Sequence, residues 1–210
     1  MCIVGCAAAL GIWPGRAAPE NPLPQVSAFL HDEHVVPGMT LIAAQSLASE
    51  IMRQASVRLE WRQGSPPAQP CGPTNDRVVV IVFQRSDQGS DAFRSALAYT
   101  HPFAKSPAKI IINYDMLGSF GSARIKWTSQ LLAHLIAHEV THVIERIDRH
   151  SESGLMKAHW TTHDYAEMTH HSLPFAPDDL VLIPLGLAAW RRENCFEEVG
   201  PGTFANRRAH

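Results

Sequence analysis

Apolar positions recur at helical spacing from Thr40 to Ala55, where Leu41, Ile42, Ala44, Leu47, Ala48, Ile51 and Met52 mark one face of an amphipathic helix. The pattern then changes period. Val57-Arg58-Leu59-Glu60-Trp61-Arg62 alternates every second residue and reads as a half-buried strand. Arg77 to Gln84 carries the continuous β-branched run VVVIVF, which suits a central strand buried on both faces. A short helix is expected around Asp91 to Ala98, and another strand from Lys109 to Tyr114. Trp127 to Ile147 is the longest helical pattern. A short helix near His163 to Thr169 follows, then a final one from about Asp178 to Glu193, with Pro184 expected to kink it. Gly64 to Thr74, with Pro66, Pro67, Pro70 and Pro73, reads as a loop. Residues 14 to 37 contain Pro14, Pro19, Pro22, Pro24 and Pro37 without sustained periodicity, so 20–37 is expected to be a Pro-rich arm preceding a single domain over 38–210. This order predicts an α+β fold, a mixed β-sheet packed on the long helix.

The first nineteen residues stand apart. Cys2 to Trp13 is an apolar run closed by Pro14-Gly15-Arg16-Ala17-Ala18-Pro19, the pattern of a secretory signal peptide, and a secreted or periplasmic protein is expected. Ile3-Val4-Gly5-Cys6 resembles a lipobox, which leaves a lipoprotein anchor as the alternative. With 1–19 removed, Cys71 and Cys195 remain and invite a disulfide. Hydrophobic residues make up 45% of the chain and charged residues 18%, as in an ordinary globular protein, and the net charge of -2 supplies no attraction toward nucleic acid. No 18-residue apolar span follows the first twenty residues, so no transmembrane segment is expected in the folded body. A monomer is expected.

Chemistry concentrates on the longest helical pattern. His138-Glu139-Val140-Thr141-His142 is an HExxH sequence. Residues four apart lie one turn above each other, so both imidazoles can reach one metal ion, with Glu139 beside the water that the ion activates. The surrounding Leu131, Leu132, Leu135, Ile136, Ala137, Val140, Val143 and Ile144 are apolar, and polar groups set in such a surface need partners. A catalytic zinc needs a third protein ligand. Three residues compete for that role: His150, eight residues past His142; Asp148, six past it; and Glu167, in a separate short helix. His134 lies one turn before His138, but three successive turns cannot converge on one ion, so it is read as supporting the site from the core edge. His159 and His163 are candidates for stabilising an oxyanion. His31, His34, His170 and His171 are read as solvated, with a weak metal site at His31-Asp32-Glu33-His34 as a minor alternative.

The residues after His150 carry a resemblance. Ser151-Glu152-Ser153-Gly154-Leu155-Met156 is a turn ending in methionine, and HEVTHVIERIDRHSESGLMKAHW resembles the site of metzincin-like zinc metallopeptidases, in particular small bacterial proteins with HExxH followed by His-Ser-x-x-Gly-[Ile/Leu]-Met. The resemblance implies a zincin/metzincin-like fold with a Met-turn and a C-terminal helix. It implies zinc held by His138, His142 and His150, Glu139 as the catalytic base, Met156 as an apolar floor, and a peptide or protein substrate. The substrate would lie along a sheet-edge strand, for which Lys109 to Tyr114 is the candidate. One departure stands out: these proteins usually carry Gly shortly after the second His, and Val143 to Arg149 has none. Asp148 or Arg149 would then have to take up the left-handed or irregular backbone. The rival readings are a compact peptidase with Glu167 as zinc ligand, and a zinc-binding protein that does not turn over.

Overall fold

A computed structural model describes residues 23–32, 35–66, 77–88, 93, 95–103, 107–118 and 125–195, the side chains of 125 and 191–195 excepted. The expected signal peptide lies outside the described residues. So do Glu33, His34 and His210, and so does the proposed disulfide, since Cys71 and the Cys195 side chain are not described.

The fold is α+β. Its mixed five-stranded sheet has the order β2-β1-β3-β5-β4, built from β1 (Gln25–Asp32), β2 (Arg58–Arg62), β3 (Arg77–Gln84), β4 (Ala98–Thr100) and β5 (Ala108–Asn113). β1 runs parallel to both β2 and β3, β3 runs parallel to β5, and β4 alone is antiparallel. Helices α1 (Gly38–Gln54), α2 (Tyr114–Leu117), α3 (Ile125–Glu145), α4 (Thr162–Met168) and α5 (Pro177–Cys195) complete it. The β-branched run of β3 sits in the sheet interior as its composition dictates, with Val78, Val79, Ile81 and Phe83 buried.

Two expectations are corrected here. Part of the Pro-rich arm is β1, paired on both sides within the sheet, with Val26, Ala28, Phe29 and Leu30 buried. Its prolines flank the strand, where they remove no ladder hydrogen bond. The second correction concerns the sheet edge. Lys109 to Tyr114 overlaps β5, but β5 is bonded on both sides; the edge on that side is β4, Ala98–Thr100, where the pattern predicts the end of a short helix.

The helix α3 packs against α1, β4, β5 and α5. Its contact with α5 is close because of one glycine. A Cβ added to Gly186 would stand 2.2 Å from the Ile144 carbonyl oxygen and 2.8 Å from the Glu145 Cα, both backbone atoms. Gly186→Ala should therefore cost about 1–3 kcal/mol by forcing the helices apart. Gly38, at the start of α1 with nothing within 4 Å of its Cβ position, is the control: Gly38→Ala should be neutral or gain about 0.4–1 kcal/mol. Urea unfolding of both variants checks this, and equal midpoints would contradict the packing.

Candidate metal centre

All fifteen residues from Leu131 to Glu145 are buried, including both histidines of the HExxH sequence and Glu139. Each of these histidines spends one ring nitrogen on a carbonyl. His138 Nδ1 lies 2.9 Å from the Leu155 carbonyl oxygen and His142 Nδ1 lies 3.2 Å from that of Ile147. A carbonyl can only accept, so both Nδ1 atoms are the protonated ones and both Nε2 atoms carry lone pairs. Those Nε2 atoms stand 3.1 Å apart, and the Nε2 of His150 is 3.3 Å from that of His142. The ligating atoms of the three residues lie within 4.8 Å of one another.

Lone pairs gathered this closely repel unless something electron-poor joins them. Zn–N bonds of 2.0–2.1 Å in a tetrahedron separate nitrogens by about 3.3 Å, so the spacing fits a dication. Burial reinforces the ligating form. It is the main reason the His138 imidazolium is disfavoured, its pKa falling to about 3, with the neighbouring His142 adding to the effect. Burial also lowers His142 and His150. Neutral imidazoles bind metals; imidazolium ions do not. His138, His142 and His150 could hold a metal ion.

The structure brings His150 into this group rather than Asp148 or Glu167. Asp148 is exposed on the turn and lines the adjoining cavity. Glu167 lies on α4 and approaches His163, 3.5 Å away. The turn that delivers His150 escapes the helix without glycine. Arg146, not Asp148 or Arg149, takes the left-handed conformation, with φ 55°, while its N–H still bonds the His142 carbonyl at 2.9 Å. A non-glycine residue there carries a cost of about 1 kcal/mol.

That cost is offset by a clamp that sequence reasoning did not find. Asp179, fully buried on α5, accepts from Arg149 Nη2 at 2.8 Å and from Ser151 Oγ at 2.6 Å, the residues on either side of His150. Its other oxygen accepts the Ala176 N–H at 2.9 Å, anchoring the start of α5. The turn is closed further on by Ser151 N–H to the Met156 carbonyl, 2.7 Å. Gly154 takes φ 75°, and a Cβ there would meet the Pro174 carbonyl oxygen at 2.2 Å. Met156 is buried, and the preceding Leu155 carbonyl accepts from both His138 and Trp160 Nε1.

Glu139 faces the cleft beside the histidines. Burial pushes its carboxyl up to about 8, and a dication next to it acts in the opposite direction. One cavity of about 370 Å³ is lined by Leu97, Leu135, His138, Glu139, Trp160 and Tyr165, with His159 at its wall. A second, of about 660 Å³, is lined by Tyr99, His101, Phe103, Glu139, His142 and His150. Ala96 and Ala98 line both, so the start of the edge strand β4 and the segment just before it border the two cavities. Buried Asn113 holds that edge in place, its amide donating to the Ala96 carbonyl at 2.7 Å and its backbone N–H to that of Leu97 at 2.9 Å. His163, the other oxyanion candidate, is exposed and lines neither cavity.

His134 is fully buried and supports the site from behind. Its Nδ1 faces the Gln130 carbonyl at 2.6 Å and its Nε2 accepts the Leu173 N–H at 3.1 Å, tying α3 to the segment after α4. His31, His170 and His171 are exposed.

No protein-family model matches the sequence, and no curated protein is significantly similar to it.

Two outcomes are expected. Asp179→Ala should weaken metal binding by about 10–100-fold, as loss of a residue that orients a ligand does; chelator competition measures it, and unchanged affinity would refute the clamp. The second concerns pH in the metal-free protein. Below about 6.5 the unfolded chain protonates histidines that His134, His138, His142 and His150, all lowered by burial, leave neutral in the fold. Glu139 and Glu145, raised by burial to about 8 and about 7, act in the opposite sense, so the test uses the Glu139→Gln, Glu145→Gln double variant, in which the histidine contribution is left. Its stability should therefore fall between pH 6.5 and 5, and a melting temperature that holds or rises over that range would contradict this.

Proposed function

We propose that this chain is a zinc-dependent endopeptidase of metzincin-like type, acting on peptides or proteins. The observation that carries the reading is the convergence of the His138, His142 and His150 Nε2 atoms beside Glu139, in an open cleft bordered by a sheet edge. Zinc is the favoured ion because three imidazoles with space for one more ligand are a common catalytic zinc set. When bound, it would polarise the scissile carbonyl and make water nucleophilic near neutral pH.

The chain's own residues supply the rest. An extended peptide would add to β4, its backbone pairing with the edge of Ala98–Thr100 that no described strand covers while side chains alternate toward and away from the cleft. Glu139 would take a proton from the attacking water and deliver it to the departing amine. His159 and Tyr165, which line the same cavity, would be the groups to meet developing negative charge on the carbonyl oxygen. Met156 would close the floor behind His138 through the turn that carries Leu155.

A zinc-binding protein without turnover would have no need of a buried carboxyl aimed into the cleft, which costs folding free energy. The export expected from the N-terminal apolar run is retained in this proposal. Comparing Glu139→Gln with the wild type at equal zinc content tests the reading. Peptide cleavage should fall at least about 100-fold, the contribution typical of general acid–base catalysis. Negligible cleavage by both proteins would sink it.

A further inference from the structure

The larger cavity has two unlike walls. One carries Glu139, His142 and His150; the other is aromatic. Phe93 and Tyr99 stack with ring centroids 4.5 Å apart and planes 14° from parallel, and His101 stands edge-on to both at 5.9 and 6.5 Å. Phe103 completes this wall and is 66% exposed, while Phe93 is 36% exposed. Two aromatic rings open to water at the mouth of a cleft keep apolar surface hydrated that an occupant would cover. At about 660 Å³ the cavity falls in the range of roughly 300–1,000 Å³ typical of ligand pockets.

Charge narrows the occupant. Glu139 and Asp148 line the cavity, and among the described residues no Lys or Arg does, so an acidic side chain would face two carboxylates. A cationic side chain would face the positive charge of any dication on the three histidines. An aromatic side chain meets neither penalty, and it gains stacking against Phe93, Tyr99 and Phe103.

Resting on the peptidase reading above, we infer that this cavity is a specificity pocket selecting an aromatic side chain of the substrate next to the scissile bond. Phe93, Tyr99 and Phe103 are its determinants. The pocket adjoins the strand to which the peptide backbone would add, because Tyr99 lies on β4 itself.

Binding tests this without turnover. Two hydroxamate series, with the side chain on one or the other side of the chelating group, carry phenylalanine, alanine, lysine or glutamate side chains. Each is titrated calorimetrically into the zinc-loaded full chain, and a peptide library is digested in parallel. In one series the phenylalanine compound should bind at least about tenfold more tightly than the alanine compound, from burial of the ring. Phe103→Ala and Phe93→Ala should each erode that preference, and Phe103→Leu should retain most of it. Phe103 is so exposed that its removal tests the pocket without endangering the fold. Equal affinities across both series, or a preference for lysine or glutamate, overturn the inference while leaving the metal centre standing. An aromatic preference untouched by either alanine variant overturns the assignment to this wall. Aromatic preference in binding with no peptide cleaved supports the pocket and refutes the peptidase. Failure of every hydroxamate to bind overturns the pocket and the metal centre together.

Discussion

An unbroken buried stretch of α3, Leu131 to Glu145, holds six polar or ionisable residues: His134, His138, Glu139, Thr141, His142 and Glu145. Little water reaches them, so each must find a partner in the fold or exact a desolvation cost. His134 meets Gln130 and Leu173, Thr141 donates to the Ala137 carbonyl, and the two metal-facing histidines each meet a carbonyl of the chain that follows. Two of these partners are distant in sequence, Leu155 lying 17 residues from His138 and Leu173 lying 39 from His134. The helix thus dictates where the turn after His150 and the strand of chain after α4 must run.

The same constraint explains the division of labour within the imidazole rings. Because the carbonyls of Leu155 and Ile147 claim the Nδ1 protons, the Nε2 atoms have no tautomer in which to donate. The site is preorganised in the deprotonated, ligating form before any ion arrives. Burial, which lowers all three histidines, works in the same direction. Hydrogen bonding sets the orientation and desolvation sets the charge state, and the two act on the same rings.

Much of this was legible in the sequence because it is local. HExxH spacing, the apolar periodicity of α3, the β-branched run of β3 and the return of the chain at His150 are all short-range patterns. What escaped reading is non-local or too brief to show a period. β4 has three residues, and it is a strand only because β5 bonds it. β1 hides among prolines, and its small Ser27 and Ala28 weaken the alternation that would announce it. Asp179 is an unremarkable acidic residue near the start of a helix until folding places it against Arg149 and Ser151. The missing glycine points toward Asp148 and Arg149 as the residues that leave the helix, and neither takes a positive φ. The helix simply ends earlier, and Arg146 tolerates the positive φ because packing and the clamp on Arg149 hold the chain there.

The position of Asp179 also orders events in time. A chain emerging from synthesis presents His138 and His142 well before the residues of α5 exist. Until that helix docks, with Gly186 against the Ile144 carbonyl, the turn that carries His150 lacks the Asp179 clamp. Such a nascent chain has two ligands and a loose third, and would bind a dication weakly. A metal centre of this design would therefore stay incomplete until the last helix has been made and has docked.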